Sequence, residues 1–572
     1  MNPHWKIDQP SPGVIDILCR SLPCHPVTAT VLANRGFRRP EDVDAFFYPS
    51  LSDLRSPFSM KDMEIAVNRI SRALNHHEKI IIFGDFDVDG VTATAILVKF
   101  LRDAGANVSS YIPHRVDDGY GLTSRYVTTQ AMPSGVDLII SVDNGSSSHE
   151  AVNQAREVNI DVVIIDHHTI AKPFPAAVAV VNPKRTDCDA GMADLAGVGV
   201  VFSLLICLRK HLRDTGFWKE RPEPNLKQIC DLVALGTVAD MVPLRDNNRI
   251  LTRTGIDIIR HNHSRPGVTA LLALAGVAAE TVDSEDIAYR LAPRLNAAGR
   301  MAHAETALSL LTTNDPDIAS QLSQRIETLN TRRQKVQKNL IDRIHADLMD
   351  NTDLLKGRSL VLWDEDWHEG VLGIAAAHFV RMYHRPVVLI STHNGLGKGS
   401  ARSIPGFNLY QGLATCREVL TGFGGHALAA GVKVKVDNLS EFRRRFEAAV
   451  HETIGERASA PAIRIDCKLN LDDISDQLLD ELELLAPFGN ANPEPLFIAR
   501  NVEVASSKIV GKAHLNIRLR QQPGSSSRTF QAMQFNVDPQ KKVPGLFESI
   551  VFRVGWNRWN QSRTARIIIE AV

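Results

Sequence analysis

Three absences bound this sequence before any motif is read. Across its 572 residues no apolar run approaches the ~20 residues that a membrane-crossing helix needs, and Met1 to Ser21 lacks the basic start and apolar core of a signal peptide. The seven cysteines, Cys19, Cys24, Cys188, Cys207, Cys230, Cys416 and Cys467, include no C-x-x-C pair. That argues against a zinc knuckle or a disulfide framework and makes a reducing cytoplasm the expected home. Net charge is missing too: 65 basic residues balance 65 acidic ones, an unusual total for a protein that holds a polyanion. A chain of this length is expected to form about three to four domains.

The charge balance hides a segregation. From Asn501 to Val572 there are eleven Lys and Arg against four Asp and Glu, a local +7, whereas Asp466 to Glu494 is strongly acidic. Such asymmetry suggests a nucleic-acid face beside a solvated or partner-facing acidic element. The basic stretch alternates as short strands, Leu515 to Leu519, Ile550 to Val554 and Ala565 to Glu570, with Trp556 and Trp559 among them. The pattern fits a small OB-type β-barrel on which bases stack on rings while cations track phosphates. Equally, both Trp residues could simply pack the barrel's core.

The chemistry concentrates upstream. Ile80 to Gly90 reads Ile-Ile-Ile-Phe-Gly-Asp-Phe-Asp-Val-Asp-Gly, a buried strand that delivers Asp85, Asp87 and Asp89 past its carboxyl end. An EF-hand loop would need Glu at its twelfth position, where Ile96 stands, so that reading fails. A solvated acidic turn is the alternative for this motif taken alone. However, Asp137 to Gly145 supplies a second strand ending at Asp143, and Asp161 to His168 a third ending in Asp166, His167 and His168. Helix-like segments at Val91 to Ala104 and Ser147 to Val158 separate them, so a parallel sheet with right-handed crossovers is expected, its ligands beyond the strands' carboxyl ends. A buried helix from Leu232 ends at Asp240, which alone would pass for a surface residue. Together, four carboxylates and one or two imidazoles suit two Mn2+ or Mg2+ ions better than Zn2+, and such a pair can clamp an in-line displacement at phosphorus. Phosphoester or phosphoanhydride hydrolysis is the expected reaction.

Two further regions lie between these. Pro316 to Asp350 has few breakers and reads as one long helix joining two lobes. A second α/β lobe follows from Ser359 to about Glu452. In it, Gly422-Phe423-Gly424-Gly425-His426-Ala427 is expected to open a helix over Ala427 to Ala430, offering backbone N–H groups and His426 to a phosphate.

Asp-Phe-Asp-Val-Asp-Gly, Val-Asp-Asn-Gly, Asp-His-His and Gly-Thr-Val-Ala-Asp-Met-Val-Pro-Leu resemble the four motifs of the DHH phosphoesterase superfamily. Pro293 to Arg300, Trp367 to Gly373, Gly399 to Ser403 and Phe423 to His426 are similar to its branch of bacterial 5′ to 3′ exonucleases specific for single-stranded DNA. Phe86 and Val88 stand where Tyr and Ala are common, Asn490 to Pro493 replaces a more Gly-rich turn, and His378 stands where Arg is expected. The resemblance implies metal ligation by Asp87, Asp89, Asp143, His167 and Asp240, with Asp143 bridging and Asp85 and Asp166 behind. His168 is expected to donate to the scissile phosphate or, alternatively, to prop a ligand.

Substrate contacts are expected at Arg115, Arg294, Asn296, Arg300, Ser400, Arg402, Gly424, Gly425, His426, Trp556 and Trp559. Arg402 would grip a terminal phosphate or else pair with a carboxylate of its own lobe. The implied architecture is an N-terminal segment (1–50), a DHH metal lobe (51–315), a connecting helix (316–350), a DHHA1 substrate lobe (351–455) and an OB-type module with an acidic element (456–572). The expected protein is a cytoplasmic monomer acting on single-stranded DNA in recombination and repair, with a single-strand-binding protein and a RecQ-type helicase as candidate partners. An oligoribonuclease or nucleotide phosphatase needs only the two central lobes. A non-catalytic replication scaffold would not need all five ligands.

Overall fold

A computed structural model of the chain describes residues 4–455, 462–511, 513–522, 528–540, 542–559 and 562–572, leaving aside the side chains of His4, Ala462, Trp559 and Ser562. It divides into two compact units, one of Arg55–Val242 with Thr254–Ser459, the other of Met1–Leu54, Pro243–Arg253 and Ala460–Val572.

The first unit begins with a five-stranded, wholly parallel sheet ordered Asn107–Tyr111, Lys79–Phe83, Leu138–Val142, Asp161–Ile165, Ala179–Val181. Its central strands are apolar at successive positions because both faces are covered: Ile80 and Ile82 are fully buried on one side, Ile81 and Phe83 on the other. Each such side chain contributes about 1.5–3 kcal/mol by leaving water. The crossovers are helices, Val88–Asp103 and His149–Glu157 among them. Leu138–Val142 lies between Lys79–Phe83 and Asp161–Ile165, so the three chemically marked strand ends are neighbours.

The long helix spans Pro316–Asp350 as its lack of breakers predicts, with Asp315 accepting from the Asp317 and Ile318 N–H groups at its start. Its stripe of Leu340, Ile344 and Leu348 enters a core with Phe379, Leu360 and Leu389. A second sheet follows, ordered Leu420–Gly425, Ala429–Lys435, Leu396–Arg402, Val387–His393, Leu360–Asp364. Alternation along its strands sends Val361, Val388 and Ile390 to the face packed by Phe442 and Phe446, and Leu360, Leu362 and Leu389 to the face packed by the helix Glu369–Tyr383.

In the second unit, Phe497–Val510, His514–Gln521, Phe530–Gln534, Ser562–Ala571 and Leu546–Trp559 pair in that order, and the last pairs back to the first. The closed five-strand barrel leaves no free edge, and its one parallel pairing joins Phe530–Gln534 to Ser562–Ala571. Its core of Phe497, Ile517, Phe552 and Ile567 continues into Leu18 and Leu32 of the N-terminal helices and Leu478 and Leu482 of the acidic helix Asp476–Leu484. His4–Ile7 adds a parallel pairing with Ala462–Ile465. The amino-terminal residues, silent in the sequence, thus complete the barrel unit. Arg249 satisfies the carbonyls of Phe46, Leu484, Leu485 and Ala486 there.

Candidate metal centre and phosphate pocket

The strand ends and two helix ends of the first unit assemble the acidic cluster. Asp87 caps the helix Val88–Asp103, its Oδ1 accepting from the Gly90 N–H at 3.1 Å. Asp89, in the first turn and buried, accepts from the N–H groups of Gly197 at 2.6 Å and Val198 at 2.8 Å. Another helix, Gly197–Asp214, therefore directs its positive end at that carboxylate. Gly197 is required by proximity, because a Cβ there would sit 2.6 Å from Asp143 Oδ1. Asp143 follows its strand in the left-handed region at φ 60°. Asp240 caps the end of the helix Cys230–Ala239.

His167 organises these groups. Its Nδ1 lies 3.0 Å from the Leu195 carbonyl, which can only accept, so Nδ1 carries the proton and Nε2 presents a lone pair. Burial, with the neighbouring His168 charge, pushes His167 down to about 3, keeping it neutral. Nε2 faces Asp143 Oδ1 at 3.1 Å and Asp89 and Asp240 at 3.7 Å each. Both Nε2 and Asp143 Oδ1 are buried without a hydrogen-bond partner, two electron-pair donors aimed at each other. A cation between them, or a proton on Asp143, relieves that arrangement.

Three ligand groups fall within 4.8 Å: Asp89, His167 and Asp240; Asp85, Asp87 and Asp143; and Asp143, His167 and His168. Burial and mutual repulsion raise the carboxyls, Asp85 to about 8, Asp89 to about 7, and Asp143 and Asp240 well above the usual range. The donor set is oxygen-rich with one neutral imidazole, which fits Mn2+ or Mg2+. Asp85, expected behind the ligands, has a carboxylate oxygen within 4.8 Å of those of Asp87 and Asp143, and its Oδ1 is unpartnered. Asp166 is the residue that stays behind: it accepts from Ser146 N, His167 N, His168 N and His168 Nδ1. Burial opposes its charge, yet the His168 charge and these donors hold its carboxyl below the ordinary range. Conversely, burial works against the His168 imidazolium, but Asp166 at 2.8 Å carries it up to about 9.

Beside the carboxylates lie three guanidiniums. Arg115 lies over the Phe86 ring at 3.9 Å with its Nε unpartnered. Arg300 donates to the Gly370 carbonyl at 3.2 Å, and Arg402 to Ser400 Oγ at 3.2 Å and the Ala401 carbonyl at 2.9 Å. Burial and mutual repulsion lower Arg300 to about 9 and lower Arg402, while Arg115 is lowered by burial. None of the three is neutralised by an ion pair among the described residues. Gly373 makes room for them, since a Cβ there would meet Arg402 Nη2 and Ser400 Oγ at 2.9 Å.

Other candidates fall elsewhere. Arg294 is engaged by Glu327 at 2.7 Å and by the Arg290 carbonyl, whereas Asn296 Oδ1 is buried and unpartnered. The expected helix after Gly425 is absent: Leu420–Gly425 and Ala429–Lys435 form a hairpin, Gly425 adopts φ 140°, and His426 N–H bonds the Ala429 carbonyl at 2.7 Å. Alternating buried and exposed residues, Ala430, Val432 and Val434 facing inward, select the strand over a helix. His426 still reaches the site, stacked 5.7 Å from His168. His378 packs against His345 and Phe379. Trp556 donates to Asp480 at 2.8 Å, and the Trp559 side chain lies outside the described residues. Sequence reading missed Tyr120, whose hydroxyl is 3.3 Å from both His168 ring nitrogens. Its signal is an aromatic between Gly119 and Gly121, just past Arg115.

Comparison with known proteins agrees with this geometry. Family models match at residues 79–237 (DHH family, N-terminal domain), 356–452 (DHHA1 domain) and 465–571 (RecJ OB domain). The chain is 36% identical to the single-stranded-DNA-specific exonuclease RecJ of Dickeya dadantii over 94% of each chain. It is 34% identical to that of Bacillus subtilis over 99% of this chain and 70% of the relative. Among solved structures, Thermus thermophilus RecJ in complex with Mn2+ superposes with a TM-score of 0.83 at 28% identity, covering 99% of this chain and 79% of the other. The same protein with Mg2+ gives a TM-score of 0.77.

Proposed function

Because the chain belongs to the RecJ family of single-stranded-DNA-specific exonucleases, we propose that it removes nucleotides from the 5′ end of single-stranded DNA by metal-dependent hydrolysis. The observation that carries the reading is a buried set of unneutralised carboxylates sharing one neutral imidazole beside three unneutralised guanidiniums. One set attracts cations, the other phosphates.

Asp89, His167 and Asp240 would hold one ion, Asp85 and Asp87 the second, and Asp143 both. Bound there, the ions supply a nucleophilic hydroxide and offset charge on the attacked phosphorus. Leu195 fixes the His167 tautomer and the Gly197 amide end orients Asp89. His168, kept protonated by Asp166, faces the cluster with Nδ1 3.9 Å from Asp143 and can donate to the scissile phosphate. Arg115, Arg300 and Arg402 with Ser400 would take the terminal phosphate, for which a planar fork suits paired oxygens. The barrel argues for a strand rather than a free nucleotide as substrate.

A cytoplasmic location fits a chain in which no described helix is long and apolar enough to cross a membrane. A single-strand-binding protein and a RecQ-type helicase are proposed partners on family resemblance alone. The acidic segment adds no support, since Asp480 and Glu483 are paired within their own barrel unit. The decisive experiment follows nucleotide release from 5′-labelled and 3′-labelled single strands with Mn2+. Early release of the 5′ label is expected, and early release of the 3′ label, or of neither, overturns the reading.

A further inference from the structure

The loop that leaves the parallel sheet after Tyr111 carries Arg115, and one carboxylate sets its path. Asp118 Oδ2 accepts from the Tyr111 hydroxyl at 3.1 Å and from the His114 N–H at 2.8 Å. The Asp118 N–H in turn donates to the His114 carbonyl at 2.9 Å, and the Gly119 N–H to the same carbonyl at 3.2 Å. Asp118 therefore holds the peptide groups on both sides of His114, one of which leads directly into Arg115, and closes a turn over 114–118. The Tyr111 hydroxyl is a fixed point for that closure, because its ring ends the edge strand Asn107–Tyr111 and packs 5.6 Å from Phe83 and 4.4 Å from Tyr126.

Arg115 has little else to hold it. Its guanidinium lies over the Phe86 ring at 3.9 Å, its Nε is buried without a partner, and no hydrogen bond anchors the rest of the group among the described residues. Arg300 and Arg402, by contrast, are tied by their own bonds to Gly370, Ser400 and Ala401. A ring face fixes the height of a cation above it far better than its position across it, so where the Arg115 guanidinium stands depends on its backbone. The turn is braced on its other side as well. The His114 ring, with Nδ1 2.7 Å from Asp117, stacks 6.0 Å from His303, just past the helix Ala292–Met301 that carries Arg300.

We propose that Asp118 is a positioning residue for end recognition: through the turn it closes, it sets the place from which Arg115 reaches the terminal phosphate. It acts through Arg115 and not on the strand itself, and the Tyr111 hydroxyl shares the task. The inference rests on the exonuclease reading above and deepens it. A carboxylate that merely closed a surface turn would serve folding and leave the choice between strand ends untouched.

The test is the ratio of kcat/KM, with Mn2+, on one single strand carrying either a 5′-phosphate or a 5′-hydroxyl, with melting curves run alongside. Asp118→Ala should lower that ratio about tenfold, since a misplacement near 1 Å is enough for such a loss. Tyr111→Phe, which removes one bond and keeps the packed ring, should lower it about threefold and serves as the test should Asp118→Ala fail to fold. Asp118→Asn should stay within about twofold of the wild type, because both bonds go to one oxygen that an amide carbonyl replaces. Adding Asp118→Ala to Arg115→Ala should change the ratio less than about twofold, as two steps of one path do. The inference is overturned if Asp118→Ala keeps the wild-type ratio, loses equally on both strands, or is matched in its loss by Asp118→Asn. It is also overturned if the double variant falls well below Arg115→Ala. A wild type that cuts neither strand, or both equally, would remove the end-reading pocket and this role with it, whereas a wild type that prefers the phosphate beside an Asp118→Ala that prefers it as strongly sinks the positioning role alone.

Discussion

The metal lobe and the barrel treat charge in opposite ways. In the barrel four arginines are matched to carboxylates, Arg558 to Glu483 and Arg563 to Asp480 among them, at largely exposed positions where a pair is worth little. At the metal centre, by contrast, carboxylates gather with carboxylates and guanidiniums with guanidiniums, buried and without Arg–carboxylate pairs among the described residues, although elsewhere in that lobe Arg69 pairs with Glu78 and Arg265 with Asp231. Like charges in a low-dielectric site cost free energy. That cost is retained only where something outside the chain offsets it, so the mismatch itself marks the ligand-binding region.

The sharpest way to break the comparison is to remove the shared ligand. Asp143→Ala should cut turnover by about three orders of magnitude or more while leaving strand affinity largely intact, since phosphate contacts lie elsewhere. Single-turnover rates beside binding titrations would show it, and a tenth of the wild-type rate would remove Asp143 from its role. Next comes the cationic half. Arg402→Ala should lower activity on 5′-phosphorylated strands by about 100-fold, and far less on 5′-hydroxyl strands. Equal losses would mean that Arg402 does not read the end.

A smaller effect follows from the raised carboxyls. Unfolded Asp titrates near 4, whereas Asp85 and Asp89 in the folded chain titrate at about 8 and 7. Without metal the native state then binds more protons than the unfolded state between these values, so stability falls as pH rises from about 4 to 8. Mn2+ should therefore raise the melting temperature more at pH 8 than at pH 5, by about 3 °C or more. A shift independent of pH would contradict this. The smallest effect belongs to the matched side: Glu483→Gln should cost no more than about 1 kcal/mol in denaturant titrations and leave hydrolysis unchanged.

How far the sequence reaches depends on whether a signal is local. The strand ends carrying Asp87, Asp143 and His167 were legible, as was the order of their strands, because apolar runs and crossover helices constrain a parallel sheet. The long helix was equally plain. By contrast, the pairing of Arg294 with Glu327 was not legible, because the partner sits 33 residues away on another helix. His426 reached the centre from a hairpin where a helix was expected, its glycine-rich start compatible with either. Trp556 was claimed by Asp480, 76 residues upstream, a contact no composition reveals.

The pairing of His4–Ile7 with Ala462–Ile465 has a consequence in time. During synthesis the first residues of the barrel unit emerge some 400 residues ahead of the strands that complete it. At 5–20 residues per second that is a wait of about 20–80 s. Leu18 and Leu32, destined for the barrel core, spend that interval without their partners, while the intervening metal lobe has its whole sequence in hand and can fold first. The ribosome thus delivers the unit that carries the acidic cluster early and the barrel unit last. Chains halted near residue 459 should show a protease-sensitive amino-terminal segment attached to a resistant lobe.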